Sequence, residues 1–135
     1  MTGGIFDGFR VVGFDLETTG FDIKKERIVE YALIGSDIDG TEINLQSLVN
    51  PQKNIPIEAS NVHGIRNQDV KNAGRFSEHI EKISEIIDGS ILVGHNIINF
   101  DWKILEMECF RAGVDTPKPE AIIDTLVIAR KLKIP

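Results

Sequence analysis

A mixed β-sheet with helices packed on it, an α/β architecture, is what this 135-residue sequence predicts, and three observations carry the prediction. Three runs rich in β-forming residues open the chain, separated by short turns. A helical apolar period follows over 76–87. A short apolar run at 90–94 then leads into a second helical stretch. That order, β-β-β-α-β-α-(β)-α, implies three antiparallel strands followed by a parallel addition, with helices on the sheet.

Each element has a local reason. Residues 9–17 carry Phe9, Val11, Val12, Phe14 and Leu16 and read as a strand. Thr18 to Asp22 read as a turn, and RIVEYALIG at 27–35 as a second strand. Asp37 to Gly40 (DIDG) is a hairpin signal, because Asp and Gly tolerate tight-turn backbone angles. A third strand follows over 41–49. The segment 50–73, with Pro51, Pro56 and Gly64, reads as a long irregular connection of the kind that often carries function. Phe76, Ile80, Ile83 and Ile87 share one helical face, closed by Asp88-Gly89. SILVG at 90–94 reads as a buried strand. A helix then starts at Asn99 or Asp101, presents Trp102, Leu105, Cys109 and Ala112, and stops at Gly113. Thr116 to Pro119 form a loop, Ile122 and Ile123 lead to Asp124, and Leu126 to Lys131 read as a short helix.

Composition narrows the function classes. Apolar content of 41% and charged content of 27% suit one globular domain. No apolar run reaches the roughly 18 residues of a membrane span, and MTGGIFDGFR lacks a signal-peptide pattern. The expected location is the cytoplasm, without a membrane partner. Cys109 stands alone, so neither a disulfide nor a thiolate metal cluster is expected. A net charge of −6 weighs against indiscriminate nucleic-acid binding, yet leaves room for an acidic site whose field a divalent cation would invert. Neither a GxGxxG nor a P-loop motif occurs, and neither a GxSxG elbow nor a CxxC.

Two clusters could carry chemistry. In VVGFDLETTG (11–20), Asp15 and Glu17 are two apart on a strand and share a face, while Phe14 and Leu16 point the other way. Such carboxylates either hold a hard divalent ion, Mg²⁺ or Mn²⁺, or line a wet strand face. Gly20 permits close backbone approach to a ligand. In VGHNIINFDWKIL (93–105), His95, Asn96, Asn99 and Asp101 crowd a strand-to-helix junction. Asp101 is either a ligand or a helix N-cap. His63, between Val62 and Gly64-Ile65, forms a small patch that could lie against a sugar or base. His79 reads as a solvated helix residue. Asp124 reads as the cap of the last helix, with a supporting place near an acidic cleft as the alternative. Arg130, Lys131 and Lys133 suit a helix C-terminus.

Together these motifs resemble the DnaQ-like 3′–5′ exonucleases, and among them the proofreading epsilon subunit of bacterial DNA polymerase III. FDLETTG (14–20) resembles the first motif, with Asp15 and Glu17 as its acidic pair. VHGI (62–65) resembles a segment between motifs, HNIINFD (95–101) the second motif with Asp101 as the third acid, and IDTLVIARKL (123–132) the stretch that follows. Three residues, Ile97, Ile98 and Asn99, separate Asn96 from Phe100 where the epsilon subunit usually has two; the longer form resembles the exonuclease domain of family B polymerases.

The resemblance implies a ribonuclease H-like fold and a two-metal Mg²⁺ or Mn²⁺ site on Asp15, Glu17 and Asp101 that releases nucleoside monophosphates from DNA 3′ ends. It further implies that residues near Thr18, Thr19, His63 and Phe100 hold the 3′-terminal nucleotide by backbone contact and stacking. Single-stranded or frayed DNA ends, and a DNA polymerase subunit, would be the partners. The family's third motif supplies a final aspartate and a histidine or tyrosine base. Neither His95 nor Asp124 fills those roles. The expectation is one exonuclease domain over 1–135, incomplete at its C-terminal end, with weak activity or none and with marginal stability or self-association. The alternatives are an oligoribonuclease-like RNA exonuclease and an inactive nucleic-acid-binding or scaffold module of the same fold.

Overall fold

Three consecutive strands, β1 (Val11–Thr18), β2 (Ile28–Ser36) and β3 (Glu42–Leu48), form an antiparallel meander in the computed structural model, which describes residues 6–133. The expectations for the chain's first five residues and for Ile134-Pro135 lie outside the described residues. Two further strands, β4 (Ile91–Gly94) and β5 (Ala121–Asp124), add in parallel beyond β1, giving the order β3-β2-β1-β4-β5. The hairpin closes as expected, with the Gly40 amide donating to Asp37 O at 2.9 Å. Phe9 falls outside β1, in a bend, and is 37% exposed.

Alternation within β1 sets the two faces. Val12, Phe14 and Leu16 are buried under helices α3 (Phe76–Ile87) and α4 (Trp102–Ala112). Helix α3 buries Phe76, Ile80, Ile83 and Ile87, the four residues whose spacing predicts it. Phe14 meets Trp102 edge to face at a centroid distance of 6.4 Å. Helix α4 ends at Gly113, whose left-handed φ of 70° suits a residue without Cβ. The opposite face stays open, and Gly13, Asp15, Ala32, Ile34, Gln46 and Val93 lie on it.

The segment 50–73 is not irregular. It holds two short helices, α1 (Ile57–His63) and α2 (Asn67–Val70). Pro56 pre-sets the entry of α1, and its carbonyl accepts from Ala59 and Ser60. The Asp69 carboxylate caps the Arg66 amide at 2.8 Å. Both helices are too short for an apolar period to show. Ile55, Ile65 and Val70 anchor the segment on Val29 in a second small core.

His79 is not a solvated residue either. Its Nε2 donates to Ala73 O at 2.7 Å, and its Nδ1 accepts from the Tyr31 hydroxyl at 2.8 Å. The Ala73 carbonyl can only accept, which fixes that tautomer. Glu108, on α4, is 1% exposed and held by Arg27 Nε at 2.8 Å and the Ile28 amide at 2.9 Å. This buried ion pair bolts α4 to the start of β2. Cys109 is buried in the core, as a helix cysteine.

Candidate active site

The two acid-bearing segments meet at the C-terminal end of β1. Asp15 and Glu17 lie on the face away from the core: Asp15 is exposed and Glu17 half-buried. Asp101 closes a π-helical turn, Ile97–Asp101, in which the Trp102 amide reaches back five residues to Ile97 O. The helix therefore begins neither at Asn99 nor at Asp101. A π turn accommodates one extra residue, and such turns are frequent at functional sites. Here it holds Ile97, Ile98 and Asn99, the three residues between Asn96 and Phe100, and leads directly into α4.

Asp101 is not a capping residue, because its side chain bonds to no helix amide. Instead its Oδ2 accepts from the Leu16 amide at 3.0 Å, between Asp15 and Glu17 in sequence, although 85 positions separate the two segments. Asp101 is 6% exposed. Burial pushes its carboxyl up to about 6; the Leu16 N–H opposes this, and the charges of Asp15 and Glu17 add to it. Glu17 is raised as well, by burial first and then by Asp15, with His63 opposing and Glu30 contributing. Glu30 sits directly across from Glu17 on β2, an arrangement of like charges that costs stability.

Among the described residues no three His, Cys, Asp or Glu side chains converge closely enough to enclose an ion as they stand. The chemistry of the donor set nevertheless fits a hard divalent cation. It consists of carboxylate oxygens alone, and a positive ion among Asp15, Glu17 and Asp101 would offset the burial and like-charge repulsion that raise Glu17 and Asp101.

A second carboxylate fixes the junction. Asp124, 3% exposed, accepts from the Asn96 amide (2.8 Å), the Ile98 amide (3.0 Å) and the Leu126 amide (2.9 Å). Burial alone would raise it, but the Ile98, Asn96, Leu126 and Val127 N–H groups outweigh burial and hold it below the usual carboxylate range. So Asp124 does cap helix α5 (Thr125–Lys131), and it also pins the π turn that carries Asp101. Asn96 takes the left-handed φ of 58° there, which Asn tolerates better than most residues. His95 turns aside, its Nδ1 3.0 Å from Thr125 Oγ1, and lines a cleft on the open sheet face with Asp15.

Beside the acids lies a pocket of about 440 Å³, within the range of small-ligand sites. Glu17, Thr18, Thr19, His63 and Phe100 all line it. The threonine hydroxyls are turned inward. Thr18 Oγ1 donates to Gly20 O at 2.7 Å, and Thr19 Oγ1 donates to Glu26 Oε1 at 3.0 Å while accepting from the Arg27 amide. The hydroxyls thus build the turn. His63 Nδ1 accepts from the Ile65 amide at 3.0 Å, so Nε2 carries the proton and donates to Thr18 O at 3.1 Å. The close approach that requires Gly20 is made by a protein side chain: a Cβ there would lie 2.7 Å from Glu26 Oε2.

Sequence reasoning missed three residues here. Phe21, 86% exposed, faces Phe100 at a centroid distance of 6.1 Å and makes an aromatic mouth to the pocket. Glu26 organises the turn, and Glu30 adds a carboxylate. An exposed aromatic after a Thr-Gly turn was a readable signal for Phe21. Glu26 and Glu30 become visible only once the β1–β2 register is known.

Comparison with known proteins decides the family. The family model described as Exonuclease (RNase_T) matches residues 12–133. The chain belongs to this exonuclease family. Among curated proteins, this family member is 33% identical over 122 residues to the 3′-5′ exonuclease DinG of Bacillus subtilis, covering 90% of this chain and 13% of DinG. It is 32% identical over 117 residues to the DNA polymerase III subunit epsilon of Treponema pallidum, covering 87% of this chain and 54% of that subunit. The chain therefore spans about half the length of that epsilon subunit and a small part of DinG. Among solved structures, Exonuclease I of Methylocaldum szegediense superposes with a TM-score of 0.80 at 22% identity, covering 93% of this chain and 29% of that one. The fold is the ribonuclease H-like mixed sheet that the motifs imply, and the resemblance to DnaQ-like exonucleases holds. No helix among the described residues is long and apolar enough to cross a membrane.

Proposed function

We propose that this chain carries the active site of a metal-dependent 3′–5′ exonuclease that releases nucleoside monophosphates from DNA 3′ ends in proofreading or repair. The observation that carries the reading is the Asp101–Leu16 hydrogen bond. It brings a third acid to the strand bearing Asp15 and Glu17, at the rim of a pocket with an aromatic mouth.

Asp15, Glu17 and Asp101 would hold the divalent ions, either Mg²⁺ or Mn²⁺. When bound, such ions activate a water and stabilise the leaving 3′ oxygen. The chain's own residues do the rest. Phe100 and Phe21 offer faces on which the terminal base can stack without reading its identity. The turn at Thr18–Gly20, tied to His63 and Glu26, presents backbone to the nucleotide. Asp124 fixes the π turn and through it the orientation of Asp101. Single-stranded or frayed DNA ends are the proposed substrate, and a DNA polymerase subunit is a proposed partner.

The test is release of mononucleotide from 3′-labelled single-stranded DNA in Mn²⁺, with Asp15→Ala as control and 3′-labelled RNA as competitor. Release that disappears in the control supports the reading. Equal counts from the wild type and Asp15→Ala would refute it for this chain.

A further inference from the structure

Strand β3 is an open edge of the sheet. It ends the strand order, and among the described residues no other strand pairs with its outer side. The ladder to β2 fixes which backbone groups that edge presents. The Val49 amide donates to Val29 O and the Asp37 amide to Thr41 O, both at 2.8 Å. Hydrogen-bonded pairs alternate along an antiparallel ladder, so the odd-numbered residues of β3 turn their N–H and C=O groups to β2. The even-numbered ones, Glu42, Asn44, Gln46 and Leu48, turn theirs outward. Among the described residues, the Leu48 carbonyl is the one outward group with a partner, accepting from Ser47 Oγ at 3.0 Å. Natural sheets guard such edges with lysine, proline, a bulge or short length. The opposite edge, β5, is four residues long. Strand β3 has seven residues, EINLQSL, with neither lysine nor proline, no bulge against β2, and Glu42 as its one charge.

This strand is complementary to itself. In an antiparallel pairing with a second copy centred on Leu45, Asn44 faces the second copy's Gln46. Both belong to the outward set, so each such pair exchanges two N–H···O bonds. Leu45 faces the second copy's Leu45 in a non-hydrogen-bonded pair, where side chains lie closer together. Ile43 then faces Ser47, and Glu42 faces Leu48, so no like charges meet. The two sides of the sheet are each satisfied. On the helix side, Ile43 and Leu45 are half-buried at the margin of the core and would be covered. On the open side, Asn44 and Gln46 are exposed, and an amide opposite an amide offers a donor and an acceptor in both directions.

We infer that β3 is a homodimer edge, pairing antiparallel with β3 of a second copy to make one continuous sheet with five strands from each copy. The dyad of such a pair stands perpendicular to the sheet, so both open faces look the same way. Asp15 is level with Ala32 and Gln46 across the sheet, hence close to the dyad along the strand direction. Five strand spacings of about 4.8 Å separate the two β1 strands, which sets the two acid sites roughly 24 Å apart on one side of the dimer. The pairing rests on the backbone and side chains of β3 alone, whatever the chemistry at Asp15.

The experiment is sedimentation equilibrium of the chain in EDTA, from low micromolar to near millimolar concentration. The wild type moves from the 15.0 kDa monomer toward twice that mass as concentration rises. Asn44→Lys/Gln46→Lys sets lysine opposite lysine at both exposed pairs and raises the dimer dissociation constant about tenfold or more. Asn44→Lys/Gln46→Glu sets opposite charges at the same two pairs and restores association to at least the wild-type level. Gln46→Pro removes an outward N–H and spares the ladder to β2. It weakens the dimer too, and supplies the loss should the double-lysine variant fail to fold. Ile128→Glu/Leu132→Glu, at exposed apolar positions of α5 and its C-terminal cap, leaves association as in the wild type. A wild type that stays at monomer mass throughout overturns the edge. So does a folded double-lysine variant that associates like the wild type, or an opposite-charge variant that stays monomeric. An equal loss from the α5 substitutions also overturns it, by assigning association to exposed apolar surface.

Discussion

The Asp101 carboxylate accepts from the Leu16 amide at 3.0 Å, so the third acid is attached to the strand that carries the other two by a bond to its backbone. The position of Asp101 is therefore set by main chain, and its side chain is desolvated in the process. Buried at 6% exposure next to Asp15 and Glu17, it is a liability to the metal-free fold.

That liability has a sign in pH. The folded carboxyl titrates at about 6, above the roughly 3.9 of an unfolded aspartate. Its favourable contribution is complete below the unfolded value and is lost as pH rises through 6. Asp101→Asn should stabilise the metal-free protein at pH 8 by up to about 3 kcal/mol, and by nothing measurable below pH 4. Urea unfolding at the two pH values checks this; equal effects at both would contradict it.

Divalent metal should reverse the balance. Mn²⁺ or Mg²⁺ at a hundred times its Kd adds about 2.7 kcal/mol, on the order of 10 °C in Tm for a chain of this length. Because Glu17 and Asp101 are both raised, binding displaces protons, and affinity should fall steeply below about pH 6. Thermal melts with and without EDTA, repeated at pH 5 and 8, measure it. A metal shift of the same size at both pH values would count against these ligands.

Glu108 offers a test remote from the chemistry. Glu108→Ala strands the Arg27 guanidinium and the Ile28 amide in a largely buried place. A loss of about 3–5 kcal/mol in urea unfolding is expected. A loss below 1 kcal/mol would mean that the α4–β2 bolt bears little load.

Asp124→Ala removes the acceptor of three amides and should cost about 2–3 kcal/mol. Since the folded group titrates below its usual range, its contribution is present above about pH 4 and is lost as pH falls through the folded value. If Asp124 positions Asp101 through the π turn, kcat should fall more than KM changes. A rise confined to KM would point to a substrate contact instead.

Most of the sheet was legible because apolar alternation and turn residues agree locally. VVGFDLET, RIVEYALIG and the DIDG hairpin each name their own element, and the α3 face follows from four apolar residues. Helices α1 and α2 were not legible. A helix of seven residues or fewer shows no period, and its caps, Pro56 and Asp69, also suit a loop. At the site, Asp15, Glu17 and Asp101 stand out because acids next to apolar strands invite explanation. Glu26 and Glu30 do not stand out. Their roles depend on strand register and on a bond to Thr19, neither of which local spacing encodes. His79 misled for the same reason: its partner Tyr31 lies 48 residues away.

The π turn before α4 uncouples motif length from chemical geometry. In a regular helix, one added residue rotates everything beyond it by about 100° and advances it by about 1.5 Å. Here the residues from Ile97 to Asp101 lie within one widened turn, clamped at its start by Asp124 and at its end by Leu16. The Asp101 carboxylate is thus placed by two anchoring hydrogen bonds, one at each end of the turn, and not by residue count alone.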